Sequence, residues 1–257
     1  MSKDFEENIE FKDASIKAAE VSALEVTDSE LRKINKYALS PLTADDVFVF
    51  KATIGTNEIE DDRNYEPFDL SALKDLQKLY IGRTVIKDHL RKTDNQIARV
   101  YDTELIQSDK HTSAGEPHTE LVAKCYMAKT AENAGLIAEI KAGIKKEVST
   151  ACIAKKAICS ICGTDNKQGY CMHMHGRKYD AAGGKRTCYF TLSGAKEAFE
   201  LSFVPVPAQK YAGTKKEQAE REMQRKQQRL KLASARNKNF IFEEDAKSEQ
   251  ENERALC

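Results

Sequence analysis

Segments of alternating or continuous apolar residues fill the middle of the chain and predict most of its secondary structure. Two stretches instead repeat apolar residues every three or four positions, which indicates amphipathic helices at 71–80, capped by Ser71, and at 131–144. The other segments predict strands, and the polar stretch 108–118, with His111 and His118, predicts a solvated hairpin loop. The predicted strands are 47–54, 84–89, 96–106, 120–127, 147–154, 187–192 and 199–206.

Both ends of the chain differ from this middle region. Residues 1–44 hold too few apolar residues to build a core and predict a polar arm with some helical tendency. Residues 215–240 hold nine Lys or Arg against three Glu and predict a solvated basic helix, and the acidic residues after them predict a disordered tail at the end of a 215–257 segment. The pattern therefore predicts an α+β core over 45–214.

Composition narrows the range of functions. The 257 residues have a formal net charge of zero and a mean hydropathy of -0.60, so no overall field steers the chain toward nucleic acid or a membrane. The apolar runs are too short to span a bilayer, and the first residues are acidic where a signal peptide is basic. The expected location is cytosolic, where cysteines stay reduced and serve as metal ligands rather than forming disulfides.

A cysteine cluster supplies the clearest chemical signal. Cys159 and Cys162 form a C-x2-C pair, and Cys171 follows with two histidines close behind. Three thiolates and one imidazole predict a closed, structural Zn²⁺ site that braces an insertion at about 155–187. We expect His173 to be the fourth ligand, with His175 and Cys188 as the alternatives.

Three other residues are candidates for catalysis. Ser149 lies on a predicted strand, on the same face as Glu147 and Ala151, and a serine there is ordinarily only a hydrogen-bonding group. His89 ends the strand 84–89 and is positioned to act as a base, although such a histidine is more often structural. Glu200 is a carboxylate in an otherwise apolar strand, which is costly unless it is paired; Glu147 and a cluster histidine are its rivals as the acid.

The segments taken in order resemble the prohead (capsid maturation) proteases of tailed bacteriophages, serine peptidases related in fold to herpesvirus assemblins. The resemblance covers about 45–214. It is carried by EIEDDRNYEPF (58–68), GRTVIKDH, IARVYDTEL, ELVAKCYM, the helix through AGLIAEIKAGI, EVST, the CSICG and CMHMHG insertion, KYD, and ELSFVPVPAQKYAG.

That resemblance implies a mostly antiparallel, barrel-like core with a zinc-ribbon-like insertion. It implies His89 as base, Ser149 as nucleophile and Glu200 as the third member of a triad, with His89 and Ser149 expected on neighbouring strands. The implied substrates are scaffolding and major capsid proteins inside an assembling procapsid in the host cytoplasm, and the chain's own ends.

Two alternatives remain open from the residues. A zinc-ribbon module with a basic helix is typical of a nucleic-acid-binding protein, although that helix lacks interleaved aromatics and nucleic acid is not the expected partner. A scaffold that keeps the protease fold without activity is the other. Self-association is compatible with each of these functions, and a membrane partner is not expected.

Overall fold

The computed structural model describes residues 15–59, 64–181 and 184–205, without the side chains of 15–22 and 181. The helices are α1 (Asp28–Ile34), α2 (Leu70–Leu79) and α3 (Ala134–Lys141), with a 3-10 turn at Thr93–Asn95. No helix in this part of the chain is long and apolar enough to cross a membrane. The strands are β1 (Ser15–Leu24), β2 (Val47–Thr56), β3 (Thr84–Lys87), β4 (Ala98–His111), β5 (Pro117–Ala128), β6 (Glu147–Cys159), β7 (Lys178–Ala181), β8 (Gly184–Thr187) and β9 (Phe190–Phe203).

Seven of the strands pair in the order β1-β2-β5-β4-β3-β9-β6. The other edge of β1 pairs with β6, so the hydrogen-bonded pairings return to their starting strand. Every described pair in this set is antiparallel except β3 with β9, which run parallel. Strands β7 and β8 form a separate two-stranded hairpin. The expected α+β class, with predominantly antiparallel strands, is confirmed.

The main apolar core lies between one face of these strands and the helices. Phe50 is fully buried and its ring lies 5.9 Å from that of Phe203. Helix α2 begins at a cap formed by Asp69, whose carboxylate accepts a hydrogen bond from the Ala72 amide at 2.7 Å, so the expected Ser71 cap was wrong. Its buried face adds Ala72, Leu73 and Leu76 to the core.

The expected polar arm over 1–44 was wrong for the residues that the structure describes there. Strand β1 pairs with both β2 and β6, and α1 follows it. Ile34 at the end of α1 is fully buried against a second small core that includes Val47 and Tyr101. The error has a simple cause: β1 reads SIKAAEVSAL, in which small and charged residues hide the alternating pattern.

Two further element boundaries differ from expectation. The hairpin loop expected at 108–118 is much shorter, because β4 continues through His111 and β5 begins at Pro117. His111 is exposed, whereas His118 lies on β5 with its ring Nδ1 3.3 Å from Ser108 Oγ. The two strands expected at 187–192 and 199–206 are one continuous strand, β9. The predicted basic helix and acidic tail lie outside the described residues.

Strand β9 stays continuous because its central irregularities are supported by α2. Its pairing with β6 shifts register at Ala151/Cys152 and again at Ile153/Ala154. Gly194 adopts a positive φ of 60 inside the strand, and its amide donates to Ser71 Oγ at 3.1 Å. The Ser-Gly pair that resembles a chain break is therefore a bulge held by the neighbouring helix.

Candidate active site and metal centre

Ser149 lies on a polar face of the β6–β9 pair that is nevertheless buried. The register places Ser149 opposite Ser202, and Ala151 opposite Glu200, so these four residues share one face. Val148, Leu201 and Phe203 take the other face and pack into the main core. The exposed fractions of Ser149, Ser202 and Glu200 are only 2%, 0% and 2%. Burial of three polar residues side by side is costly unless they find partners.

His89 supplies the partner of Glu200. Strand β3 ends at Lys87, and the chain turns so that Nδ1 of His89 lies 2.8 Å from Oε1 of Glu200. The Glu200 side chain is 3% exposed and that of His89 is 26% exposed, so the carboxylate is buried and the imidazole reaches the surface. With the proton on Nδ1 donated to Glu200, Nε2 is the ring atom available to accept a proton.

The rivals of Glu200 lie elsewhere. Glu147 lies at the start of β6, 3.8 Å from the ammonium of Lys146. His173 belongs to the cysteine cluster, and Nδ1 of His175 donates to the Asn64 carbonyl at 2.8 Å. The acid that contacts His89 is therefore Glu200.

His89 and Ser149 do not come from neighbouring strands, and that expectation was wrong. Strand β9 lies between β3 and β6, so Ser202 separates the backbone of His89 from Ser149. Ser149 and Glu200 are diagonal neighbours on the same face, a relation that places their backbones about 7–8 Å apart and within reach of an imidazole. The imidazole bound to Glu200 thus belongs to the same patch as the serine.

Ser149 itself makes no hydrogen bond within the described part of the chain. Its Oγ is buried without a partner, and so is Oε2 of Glu200. Buried polar atoms of this kind are rare in folded proteins, and they concentrate where a catalytic or ligand contact is made in another state. The structure therefore brings His89 and Glu200 together and leaves the serine hydroxyl without a contact to either.

Two buried groups near Glu200 shape its electrostatic surroundings. Tyr80 is fully buried, and burial raises the pKa of its hydroxyl well above the usual value while the hydroxyl donates to the Ala151 carbonyl at 3.1 Å. Burial lowers the pKa of the Arg91 guanidinium, and the charge of Glu200 opposes that shift. Arg91 also lies 4.6 Å above the ring of Phe199. A neutral phenol and a cation therefore flank the carboxylate.

The second polar cluster lies at the opposite end of β6. One ligand atom from each of Cys159, Cys162, Cys171 and His173 falls within 4.8 Å of the others, an arrangement suited to hold a metal ion. Cys159 is the last residue of β6 and is buried. The chain then turns through Gly163, whose φ is 75 and whose amide donates to the Cys159 carbonyl at 2.9 Å, so that Cys162 returns toward the cluster. The insertion begins only after Cys159, later than the expected boundary at 155.

The contacts distinguish the three candidates for the fourth ligand. Nδ1 of His173 is buried without a hydrogen-bond partner, and its ring packs edge-on against Tyr179 at 4.6 Å. His175 is occupied by the Asn64 carbonyl and lies 4.3 Å from the ring of Phe190. Cys188 Sγ is 4.0 Å from Cys159 Sγ but is not part of the four-residue group. The grouping therefore agrees with the expected choice of His173.

The thiols of the cluster differ in acidity. Hydrogen bonding to Thr164 lowers the pKa of Cys162 to about 6, whereas burial raises the pKa of Cys171 and raises that of Cys188 to about 12. A thiol must lose its proton to bind a metal, so Cys162 is the ligand most prepared to do so at neutral pH.

Comparison with known proteins adds no relative to this description. No protein-family model, no curated protein and no solved structure matches the chain. The function is therefore argued from the residues and contacts described above.

Sequence reasoning missed Ser202 and Asn95 at the candidate active site. Ser202 Oγ accepts a hydrogen bond from the His89 amide, and the side chain of Asn95 donates to the turn that carries His89. The only sequence signal for Ser202 is its position two residues after Glu200, which places both on one strand face.

Proposed function

We propose that the chain is a serine endopeptidase in which Ser149 is the nucleophile, His89 the base and Glu200 the residue that orients the base. The observation that carries this proposal is the 2.8 Å contact between His89 Nδ1 and a buried Glu200 carboxylate, on the strand face that Ser149 shares. A carboxylate on Nδ1 of an imidazole, with Nε2 left to act on a hydroxyl, is the arrangement that serine nucleophiles require. The resemblance to prohead proteases supports the same three residues.

The mechanism follows from these roles. Nε2 of His89 removes the hydroxyl proton as Ser149 Oγ attacks a peptide carbonyl, and Glu200 stabilises the imidazolium that forms. The imidazolium then gives the proton to the departing amine, which leaves an ester on Ser149. Water, deprotonated by His89, hydrolyses the ester and restores the serine. Backbone amides near Ser149 stabilise the oxyanion.

The proposed substrates are scaffolding and major capsid proteins within an assembling procapsid, together with the chain's own ends. This part of the proposal rests on the resemblance. It is supported by the strand pairings, whose closed order is consistent with the barrel-like core expected of an assemblin-related fold.

We further propose that the ion at the cysteine cluster is Zn²⁺ and that its role is structural. Three thiolates and one imidazole prefer zinc, and four protein ligands leave no position for a substrate water. The surrounding insertion has only a small core, formed by Cys159, Cys188 and Phe190 with three partly buried neighbours. An ion is what such a small core needs in order to fold.

The function is tested with the full-length chain by two measurements. Intact mass spectrometry follows self-truncation over time, and a fluorophosphonate probe reports a reactive serine as a mass increase mapped to one peptide. Wild-type protein is expected to be truncated and labelled at Ser149, and Ser149→Ala is expected to lose both. Ser193→Ala, a serine change elsewhere on β6's partner strand, serves as the matched control and keeps both.

Labelling that persists in Ser149→Ala would remove Ser149 from the mechanism. A folded wild-type chain that is neither truncated nor labelled would favour the second candidate, a catalytically inactive scaffold. The specific observation in favour of that candidate is that Ser149 is 2% exposed and makes no hydrogen bond among the described residues.

A further inference from the structure

We infer that Ser202 is a positioning residue that holds the His89 backbone in place for the reaction. This inference rests on the proposed function, because it assigns a role to the base. Ser202 is completely buried, lies opposite Ser149 on the paired strand, and accepts a hydrogen bond from the His89 amide at 2.8 Å. One side chain therefore contacts the backbone of the base and neighbours the nucleophile.

The turn that carries His89 has an unfavourable backbone conformation. Asp88 and His89 adopt positive φ values of 55 and 54 in succession. Aspartate and histidine tolerate this left-handed region better than most side chains, but two consecutive residues there persist only when surrounding contacts hold them. The contacts that hold this turn thus decide where the imidazole lies.

Strand β9 supplies the first set of those contacts. The parallel pairing of β3 with β9 ends at Lys87 and Phe203. The Asp88 amide then donates to the Phe203 carbonyl at 2.9 Å, and the next amide, that of His89, donates to Ser202 Oγ. The serine hydroxyl takes the place of a backbone carbonyl that the turning chain no longer meets, and its own proton points to the Phe203 carbonyl at 3.2 Å.

Asn95 supplies the second set from the opposite side. Its Nδ2 donates to the Lys87 carbonyl at 2.5 Å and to the Leu90 carbonyl at 2.8 Å, which are the residues on either side of Asp88 and His89. The turn is therefore clamped by Ser202 through an amide and by Asn95 through two carbonyls. A displacement of about 1 Å at a catalytic group is enough to reduce a rate by about a hundredfold.

The test uses Ser202→Ala, which removes only the hydroxyl from a buried site and leaves the His89 amide without its acceptor. The saturation kinetics of fluorophosphonate labelling separate the maximal rate from probe binding. The maximal labelling rate is expected to fall by about ten- to a hundredfold while the half-saturating probe concentration changes little. Ser202→Thr, which keeps a hydroxyl, is expected to recover part of the rate, and Ser193→Ala on the same strand is the control for a serine change on β9.

A spectroscopic measurement keeps this inference separate from the proposed function. The Nδ1 proton shared by His89 and Glu200 gives a far-downfield proton resonance when it is held in a hydrogen bond. This resonance is expected in the wild type, to broaden or vanish in Ser202→Ala and Asn95→Ala, and to survive in Ser149→Ala and Ser193→Ala. Broadening in Ser202→Ala supports the role of Ser202 even if the wild type is never labelled, which would count against the peptidase alone.

Two results would overturn the role of Ser202. One is a Ser202→Ala protein that labels at the wild-type maximal rate. The other is an unchanged Nδ1 proton resonance in that variant. If Ser202→Ala fails to fold, Asn95→Ala tests the same turn from its exposed side, and an unchanged labelling rate and resonance there would overturn the clamp.

Discussion

The two ends of the β6–β9 pair hold polar clusters that are organised in opposite ways. At one end Ser149, Ser202 and Glu200 are placed by strand register, and His89 reaches them from another strand. At the other end Cys159, Cys162, Cys171 and His173 are placed by short turns within one insertion. The first cluster needs the whole sheet to exist, whereas the second needs an ion. The two are ten residues apart on β6, roughly 30 Å for an extended strand.

This difference predicts that the two clusters fail independently. Loss of the metal should unfold the insertion and leave the sheet, because the buried contacts of β6 and β9 in the main core do not involve the insertion. Loss of a buried active-site group should leave the metal in place. The following variants test this separation.

The largest effect is expected for Cys159→Ser, which removes a buried metal ligand. Bound metal should fall from about one ion per chain to nearly none, and the amides of 160–189 should lose protection from hydrogen exchange, because a structural zinc site supplies most of the folding free energy of such a segment. Metal analysis and hydrogen exchange measured by mass spectrometry check the two parts. The strands of the main core should keep their protection.

His175→Gln is the matched control in the same insertion. Its imidazole contacts Asn64 and Phe190 rather than the cluster, so this variant should keep its metal. Full metal content in Cys159→Ser, or loss of metal in His175→Gln with Cys159 intact, would contradict the assigned ligands.

The next largest effect is expected for Glu200→Gln. The amide keeps the size of the side chain but no longer stabilises an imidazolium or enforces the proton on Nδ1 of His89, so labelling of Ser149 should slow by about a thousandfold or more. Metal content should stay at the wild-type level. Glu197→Gln, three residues earlier on the same strand, should label normally; equal rates for Glu200→Gln and wild type would exclude Glu200 from the mechanism.

The same contrast explains what could be predicted from the sequence. The cysteine ligands lie within fifteen residues of one another, so their spacing alone indicates a shared ion. The contact between Ser202 and His89 joins residues 113 positions apart, and no local pattern encodes it. Glu200 was identifiable because a carboxylate in an apolar strand requires a partner, and the structure provides one in His89.

Strand errors have a related cause. Strand β1 was missed because its alanines and charges hide the alternation, and it is stabilised by pairing on both edges with β2 and β6. Strand β9 was divided in two because Ser193 and Gly194 read as a turn, whereas α2 holds them within the strand. In both cases tertiary contacts overrode local propensity.

A smaller effect is expected for Thr164→Val, which removes the hydroxyl that lowers the pKa of Cys162 to about 6. A raised thiol pKa lets protons compete with the metal at higher pH, so the midpoint of metal release during acidification should move upward, and affinity near neutral pH should weaken by about tenfold. A chelating dye that reports released metal across a pH series measures the midpoint. Thr191→Val is the control, and equal midpoints in Thr164→Val and wild type would count against this role of Thr164.

The smallest effect is expected midway between the two clusters, at Asp75 on α2. Its carboxylate accepts from the Ala195 amide at 3.0 Å and pairs with Lys155 at 2.8 Å, so it joins the helix to both strands where their register shifts. The pair is largely exposed, and Asp75→Asn should lower the free energy of unfolding by only about 1 kcal/mol or less.

The pH dependence of that difference has a definite sign. Lys155 holds the pKa of Asp75 below its usual 3.8, so the contribution of Asp75 is present above that value and is lost as the pH falls through the lower pKa of the folded state. Denaturant unfolding should therefore separate Asp75→Asn from wild type at neutral pH and bring them together in acid. Metal content and Ser149 labelling should both be unchanged, because α2 supports the centre of β9 while the register of Ser149 with Ser202 and the ligands after Cys159 lie beyond the bulges on either side. A variant that lost metal or labelling through Asp75 alone would show that the two ends of the strand pair are mechanically linked.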